Sequence, residues 1–377
     1  MDAVAWISTL LKIVFILIII LSFAPVLIWA ERRQSAMIQD RIGPHRASIK
    51  LFGKEIRLIG LLHPLADALK FMWKEDFIPP KADKLLHALG PIVSLIPAIS
   101  VFAVIPFGGY LAIDHAMEMV PVGQYVTEAF GTNVISLQVA NINVGILYVF
   151  AIAGTGVVGA AIAGYSSDSK YALLGGVRAA GQMVSYEVTL GLALVGCFMV
   201  YDSLLLQDMV TWQRQNYWGV LVQPLAFFLF FTAAIAESKR IPFDVPEGES
   251  ELAAGYVTEY SGMKFGMFFM GEFVEVITSS ALIIVLFLGG YDLPFLEDWG
   301  LDFFGYVVAL PHAAVVAVQV LVFVLKLVII IWLQLMIRWS LPRFRYDQIM
   351  QLCWKLLLPL SLANILVTGI VILVLNQ

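Results

Sequence analysis

Residues 236–260 read AESKRIPFDVPEGESELAAGYVTEY. The stretch lies between two long apolar blocks, 219–235 and 265–290, yet it carries Glu237, Asp244, Glu247, Glu249, Glu251 and Glu259. Pro242, Pro246, Gly248 and Gly255 break any continuous helix through it. A hydrophobic chain that keeps so many carboxylates together either solvates a loop or moves charge. Acids and prolines alone fit a solvated loop. Ile241, Phe243, Leu252 and Tyr256 interrupt it with side chains that gain from burial, which fits a packed acidic loop instead.

Working outward, 60% of the residues are hydrophobic and 14% charged, with a mean hydropathy of +0.87. Soluble domains carry about 25% charged residues. Several apolar runs reach the roughly 20 residues that cross a bilayer core about 30 Å thick. The fold class is an all-α polytopic membrane protein of about eight transmembrane helices, and the continuity of the runs excludes a transmembrane barrel. The spans fall near 7–30, 88–110, 142–164, 178–200, 218–236, 264–290, 312–337 and 352–375, within a single membrane domain over 1–377. Residues 1–30 read as the first span, since the apolar run is too long for a signal peptide and no small-residue cleavage site precedes Glu31.

Basic residues fix the orientation. The connection after span 1 holds Arg32, Arg33, Arg41, Arg46, Lys50, Lys54 and Arg57, and Lys170, Arg178, Lys239, Arg240, Arg338, Arg343 and Arg345 lie on the same side. The opposite connections offer only Arg214 among acids such as Asp208 and Asp292. The acidic loop, 236–263, thus faces the cytoplasm and both termini face outward. The outer connection 112–140 is long and partly apolar, either an interfacial helix or a plain loop.

Within the first inner connection, residues 57–75 place Leu58, Leu61, Leu62, Leu65, Leu69 and Met72 at helical spacing. This is an amphipathic cytoplasmic segment in the plane of the interface, with Pro64 kinking it or marking its start. A peripheral anchor and a binding element are both open. Cys197 and Cys353 form no CxxC pair, and the five histidines show no repeated intrahelical pairing. The chain therefore offers no metal, cluster or haem ligand set, and any electron carriers belong to a partner.

Ionisable residues inside spans cost at least about 2.5–3.5 kcal/mol each. Glu187, Glu272, Glu275 and Lys326 are such residues. Either Lys326 neutralises one acid while the others stay protonated, or the acids exchange protons through water. The second case requires a polar funnel inside the bundle, because burial raises a carboxyl pKa and a nearby cation lowers it.

Five stretches now carry a resemblance: ERRQSAMIQDRIGPHR, LLHPLADALKFMWKED, SKYALLGGVRAAGQMVSYE, AESKRIPFDVPEGESELAAGYVTEY and LPRFRYDQIMQLCWK. In this order, and across nearly the whole chain, they resemble the quinone-chamber membrane-subunit family of respiratory complex I. That family comprises the H subunits of bacterial NADH-quinone oxidoreductases and the first subunit of mitochondrial NADH dehydrogenase. The resemblance implies a translocase subunit without a redox centre of its own. It implies ubiquinone or menaquinone as substrate, and FMN and iron–sulfur clusters held by partner subunits. It implies peripheral-arm and antiporter-like membrane subunits and lipids as partners, and no nucleic acid. The location implied is the bacterial inner membrane, or the mitochondrial one. By position, the family's proton row carries over to Glu187, Glu237, Asp244, Glu247, Glu249, Glu251, Glu259 and Glu272, and Lys326 joins them as an ionisable residue within a span. The quinone-chamber and inner-face positions match Arg32, Arg41, Arg46, Asp67, Arg178, Arg240 and Phe243. His45, His63, Asp168 and Glu275 depart from the family pattern, and no role is borrowed for them. A related subunit of a membrane-bound hydrogenase or ferredoxin-dependent complex is an alternative, as is a stand-alone proton or sodium transporter.

Overall fold

A computed structural model describes residues 3–51, 54–112, 134–297, 300–303 and 306–375. The expected outer connection 112–140 lies mostly outside the described residues. Helix α1 (Ala3–Ile38) does not end near residue 30 but continues through Glu31, Arg32 and Arg33. At 1.5 Å per residue it is about 54 Å long, well beyond the bilayer core. A short antiparallel hairpin follows, β1 (Ile49–Leu51) with β2 (Lys54–Ile56). Helix α2 (Leu62–Trp73) carries Pro64 in its first turn, where a missing N–H costs nothing. Pro64 is buried while Leu65, Leu69 and Met72 are exposed, so the apolar face of α2 points away from the bundle.

Helix α3 (Lys84–Ser100) is capped by Asp83, whose carboxylate accepts from the amides of Leu85 and Leu86. On the opposite side of the bundle, β3 (Tyr110–Ala112) pairs antiparallel with β4 (Val134–Ser136). Lys12, inside the first span, donates to the carbonyls of Ser136 and Gln138 and ties α1 to this hairpin. Helices α4 (Gly145–Ser166) and α5 (Lys170–Tyr201) follow. The buried face of α4 is Gly156, Gly159, Ala160, Ala163 and Gly164. Small residues of this kind let backbones approach where lipid supplies no hydrophobic drive between helices.

After α6 (Leu206–Gln215), the fifth expected span proves to be broken. It consists of α7 (Gly219–Val222) and α8 (Pro224–Glu237), a helix of 14 residues. That is about 21 Å of helix. Pro224 cannot donate into the preceding turn, and Gln223 leaves helical geometry. The polar groups at the break are met from the last helix: Gln223 donates to Thr368, and Asn364 donates to Gln223.

The acidic segment folds back onto the bundle. It contains one short helix, α9 (Glu249–Leu252), and a single 3₁₀ turn, Gly255–Val257. Arg240, Phe243, Asp244, Val245, Leu252, Tyr256 and Tyr260 are all buried, so the solvated-loop alternative is excluded. Helix α10 (Gly262–Phe287) is the centre of the bundle: 78% of its apolar window is buried, against 22% for α1. A three-stranded antiparallel meander on the side of β3 and β4, β5 (Leu296–Glu297), β6 (Gly300–Phe303) and β7 (Tyr306–Ala309), leads into α11 (His312–Ser340). Helix α12 (Tyr346–Gln351) runs through one π turn into α13 (Leu358–Leu375). Among the described residues, seven helices have the length and apolarity to cross a membrane, and α8 is a shorter apolar helix beside them. The chain is an all-α, multi-pass membrane protein.

One contact seats the acidic segment. A Cβ on Gly175 of α5 would lie 2.5 Å from the amide nitrogen of Tyr256, and Gly255 has a φ of +56°. Gly175→Ala is therefore expected to push the 3₁₀ turn off α5 and lower stability by about 1–3 kcal/mol. Thermal unfolding of the detergent-purified protein measures this, and an unchanged melting temperature would refute the contact.

Candidate functional site

The buried acidic segment is held by charges from several helices. Gln182 of α5 donates to the carbonyls of Ala236 and Phe243, fixing the first turn of the segment. Phe243 packs against Tyr186 and Phe344. Arg240 bonds Glu31 of α1 at 3.0 Å, and Arg338 of α11 reaches the other oxygen of the same carboxylate, also at 3.0 Å. The Arg240 guanidinium lies 3.9 Å from the ring centroid of Phe273. Arg343 bonds Asp244 at 2.7 Å. Arg178 bonds Glu251 at 2.7 Å on the more exposed rim.

A second layer lies against α10. Tyr256 donates to Glu272, and Glu247 is within hydrogen-bonding reach of the same carboxyl. Burial pushes the Glu247 carboxyl well above its ordinary value, and repulsion from Glu272 adds to the rise. Burial likewise raises Asp244, although Arg343 opposes it. Burial disfavours the Lys239 ammonium, but Glu275, Glu272 and Glu247 outweigh that effect and its pKa is raised. Lys239 bonds Glu275 at 3.4 Å.

Beyond this layer a cavity of about 60 Å³ opens among α3, α4, α5, α8 and α10. Glu237, Ser238, Glu275, Ser94, Thr278 and Ser279 place polar groups on it, while Val149, Phe150, Phe230 and Leu282 make much of the wall apolar. The expected polar funnel is thus a small pocket in apolar surroundings, because the polarity is concentrated in the folded segment. Glu187 sits against Gly154 of α4, where any Cβ would lie 2.6 Å from its Oε1. Glu187 and Glu275 both act electrostatically on Glu237.

Lys326 is elsewhere. Its ammonium donates to the carbonyls of Leu288, Gly290 and Asp292 and lies over the Trp218 ring. Those carbonyls follow the end of α10, about 20 Å along the helix from Glu275. Lys326 therefore neutralises the carbonyl end of a helix rather than an acid of the row.

Near the bilayer-facing edge, Arg32 bonds Asp67 of α2 at 2.6 Å. Trp29 donates to the carbonyl of Ile59, which joins α1 to the turn before α2. The His63 ring bridges the Gly60 carbonyl and the Ala47 amide, so this departure from the family pattern ties the Gly-Pro turn to α2. Arg41 bonds Gln39 and Ser35, and both Arg41 and Arg46 are exposed.

A profile of the NADH dehydrogenase family matches residues 11–369. The chain is 41% identical over 345 residues to the H 1 subunit of NADH-quinone oxidoreductase from Cytophaga hutchinsonii, covering 92% of this chain and 91% of that protein. It is 44% identical over 360 residues to the H 1 subunit from Geobacter metallireducens, covering 96% and 95%. It is 41% identical over 369 residues to the H 1 subunit from Geobacter sulfurreducens, covering 97% and 95%. The chain belongs to the NADH dehydrogenase family. Its relatives are subunits of an enzyme complex, NADH-quinone oxidoreductase.

For this NADH dehydrogenase family member, the structure gathers Asp244, Glu247, Glu272, Glu237 and Arg240 at one site, with Glu187 against Gly154 of α4 and acting on Glu237, and Glu251 on the rim. Glu249 opens α9, and Glu259 is half-buried beside His87. Sequence reasoning missed Glu31, Lys239, Tyr256, Arg338 and Arg343 as members, and named Glu275 as an ionisable residue within a span without finding its partner. The signal for Glu31 was a charge at the end of an apolar run that is still helical. Cys197 and Cys353 are both buried and free, and among the described residues no group of three His, Cys, Asp or Glu side chains fits a metal or cluster.

Two outcomes are expected. Glu31→Gln leaves two guanidiniums facing a neutral amide, and loss of about 3 kcal/mol is expected in chemical or thermal unfolding. An unaltered melting temperature would show that Glu31 does not hold the arginines. The raised Glu247 carboxyl also sets a pH dependence. Its contribution to docking is complete below the ordinary 4.5 and is lost as pH rises through the folded value. Hydrogen exchange of residues 239–257, corrected for intrinsic rates, should therefore speed up as pH rises above the ordinary 4.5. Glu247→Gln should flatten that rise, and an identical rise in the variant would refute the assignment.

Proposed function

We propose that the chain is the membrane subunit of a proton-pumping NADH:quinone oxidoreductase, walling the quinone site and coupling quinone reduction to proton movement. One observation carries the reading: a buried run of titratable groups leads from the Arg-paired acidic segment, through Glu247, Glu272 and Tyr256, to a cavity shared by Glu237 and Glu275. Several polar atoms along it, Asp244 Oδ1, Glu275 Oε2, Arg240 Nη2 and Arg338 Nε, are buried without a protein partner among the described residues. Folded proteins hydrate such atoms, and each water needs only about 10–15 Å³. Waters beside Glu237 and Glu275 would connect the carboxyls for proton exchange.

The exposed apolar face of α2, with the Arg32–Asp67 pair beside α1, suits a portal through which ubiquinone or menaquinone leaves the bilayer. Arg41, Arg46, Arg178 and Phe243 complete the chamber side. Electrons arrive from iron–sulfur clusters and FMN of partner subunits. Negative charge forming on the quinone headgroup raises the proton affinity of nearby carboxyls, and protonation then passes along the row. The row comprises Asp244, Glu247, Glu249, Glu251, Glu259, Glu272, Glu237 and Glu187, and Lys326 is left out of it. The basic end faces the cytoplasm of a bacterial inner membrane and both termini face the periplasm. The apolar faces of the outer helices meet lipid and antiporter-like subunits.

Purification in mild detergent should recover partner subunits that carry FMN and iron–sulfur clusters. A monodisperse single chain that transports protons or sodium would overturn the reading. In the reconstituted complex, Glu187→Gln and Glu237→Gln should each lower quinone-driven proton pumping by about tenfold or more without loss of assembly. Full pumping in both would reduce these acids to structural groups.

A further inference from the structure

Glu275 is an acid for which the family pattern offers no role, and Lys239 is a cation inside a nest of acids. The two side chains meet: Lys239 Nζ lies 3.4 Å from Glu275 Oε1, with the lysine side chain 1% exposed and the glutamate 18% exposed. The backbone is shaped for this contact. Lys239 has a φ of +55°, a left-handed conformation unusual for a side chain of this kind, directly after the cap of α8. Among the described contacts the ammonium bonds Glu275 and not Glu237, although both carboxyls line one cavity. Two carboxyls therefore share a small, largely apolar space with one cation, and the cation is committed to one of them.

We propose that Lys239 is a positioning residue that holds Glu275 as a fixed counter-charge, leaving Glu237 as the carboxyl that takes up and releases the proton in the shared cavity. The inference rests on the proton-route reading. On this account Glu275 does not relay protons. It cancels the charge of Lys239, so that the proton affinity of Glu237 is set by burial and by the neighbouring acids Glu275 and Glu187 rather than by an uncompensated ammonium. The other groups facing the pair keep their places on either side of it. Glu272 and Arg240 act on Glu275, Glu272 and Glu247 act on Lys239, and Glu187 acts on Glu237.

The test is the pH profile of quinone-driven proton pumping by the whole complex in vesicles, with a short-chain quinone. Lys239→Gln removes a cation, so neighbouring carboxyls hold protons more tightly. The midpoint of the acidic limb should move up by about one pH unit. Glu275→Gln leaves the ammonium unpaired and should move it down by a similar amount. The double variant, which is neutral as a pair, should return the midpoint to within about 0.3 unit of the parent. Lys239→Arg should leave it in place. The double variant also keeps the test available if a single variant assembles poorly. Unmoved midpoints in both assembled single variants, or a double variant no closer to the parent than the singles, would overturn the proposal. Glu237→Gln in the same preparation separates the two readings. Full pumping there overturns the part given to Glu237, and full pumping in Glu187→Gln as well overturns the route. Lost pumping there, with midpoints unmoved in the pair variants, overturns the pairing alone.

Discussion

A charge removed from water must find an opposite charge or lose its own, and the basic end of this bundle is built around that requirement. The effective penalty is several kcal/mol per ion even after relaxation. Arg240 and Arg338 meet it by sharing Glu31, Asp244 meets it through Arg343, and Lys239 meets it through Glu275. Each pair joins the acidic segment, or its neighbours, to a different part of the chain. The segment cannot dock unless α1, α10 and α11 present these partners together. The helices, in turn, leave the half-buried Glu31, Glu275 and Arg338 without these counter-charges unless the segment is in place. The electrostatic demand therefore couples the fold of the loop to the fold of the bundle.

That coupling explains which features were legible in the sequence. Membrane spans are a local property, since a run of apolar residues declares itself without reference to anything distant. Helices α3, α4, α5, α10 and α11 are each long and apolar enough to cross a membrane. The fifth span broke because Pro224 stops α7 from running into α8, and the cost became tolerable only through Asn364 and Thr368, far along the chain. The ion pairs that hold the acidic segment were harder to read. Arg240 and Glu31 are 209 residues apart, and Arg343 and Asp244 are 99 apart, so no window along the chain contains either pair. Ile241, Phe243, Leu252 and Tyr256 marked the loop as packed, but the charges it packs against stayed out of view.

Lys326 shows the same limit from the other side. Its position along α11 revealed its depth but not its facing, and depth alone offered it an acid as partner. The chain instead turns at Gly289 and Gly290, which releases the carbonyls after α10 towards the ammonium. A helix end carries a partial negative charge of about half an elementary unit, and three carbonyls aimed at the ammonium put it to use. Glu275 was thereby left free of Lys326 and came to be matched by Lys239, a residue that looked like one more positive charge at a membrane surface.

The apolar walls around Glu237 and Glu275 bear on how a proton route of the proposed kind would work. A wide polar funnel would fill with water, and water would screen each carboxyl from the next. A pocket of about 60 Å³ with Val149, Phe150, Phe230 and Leu282 in its wall keeps the local dielectric low. At low dielectric the interaction between neighbouring charges grows several-fold over its value in water. A proton gained or lost by one acid is then felt strongly by the next, which is what propagation along a row requires. The same strength makes any uncompensated charge in the pocket disruptive. A fixed lysine in such a place is compatible with a titrating Glu237 only if another carboxylate cancels it, and Glu275 stands where that cancellation is needed.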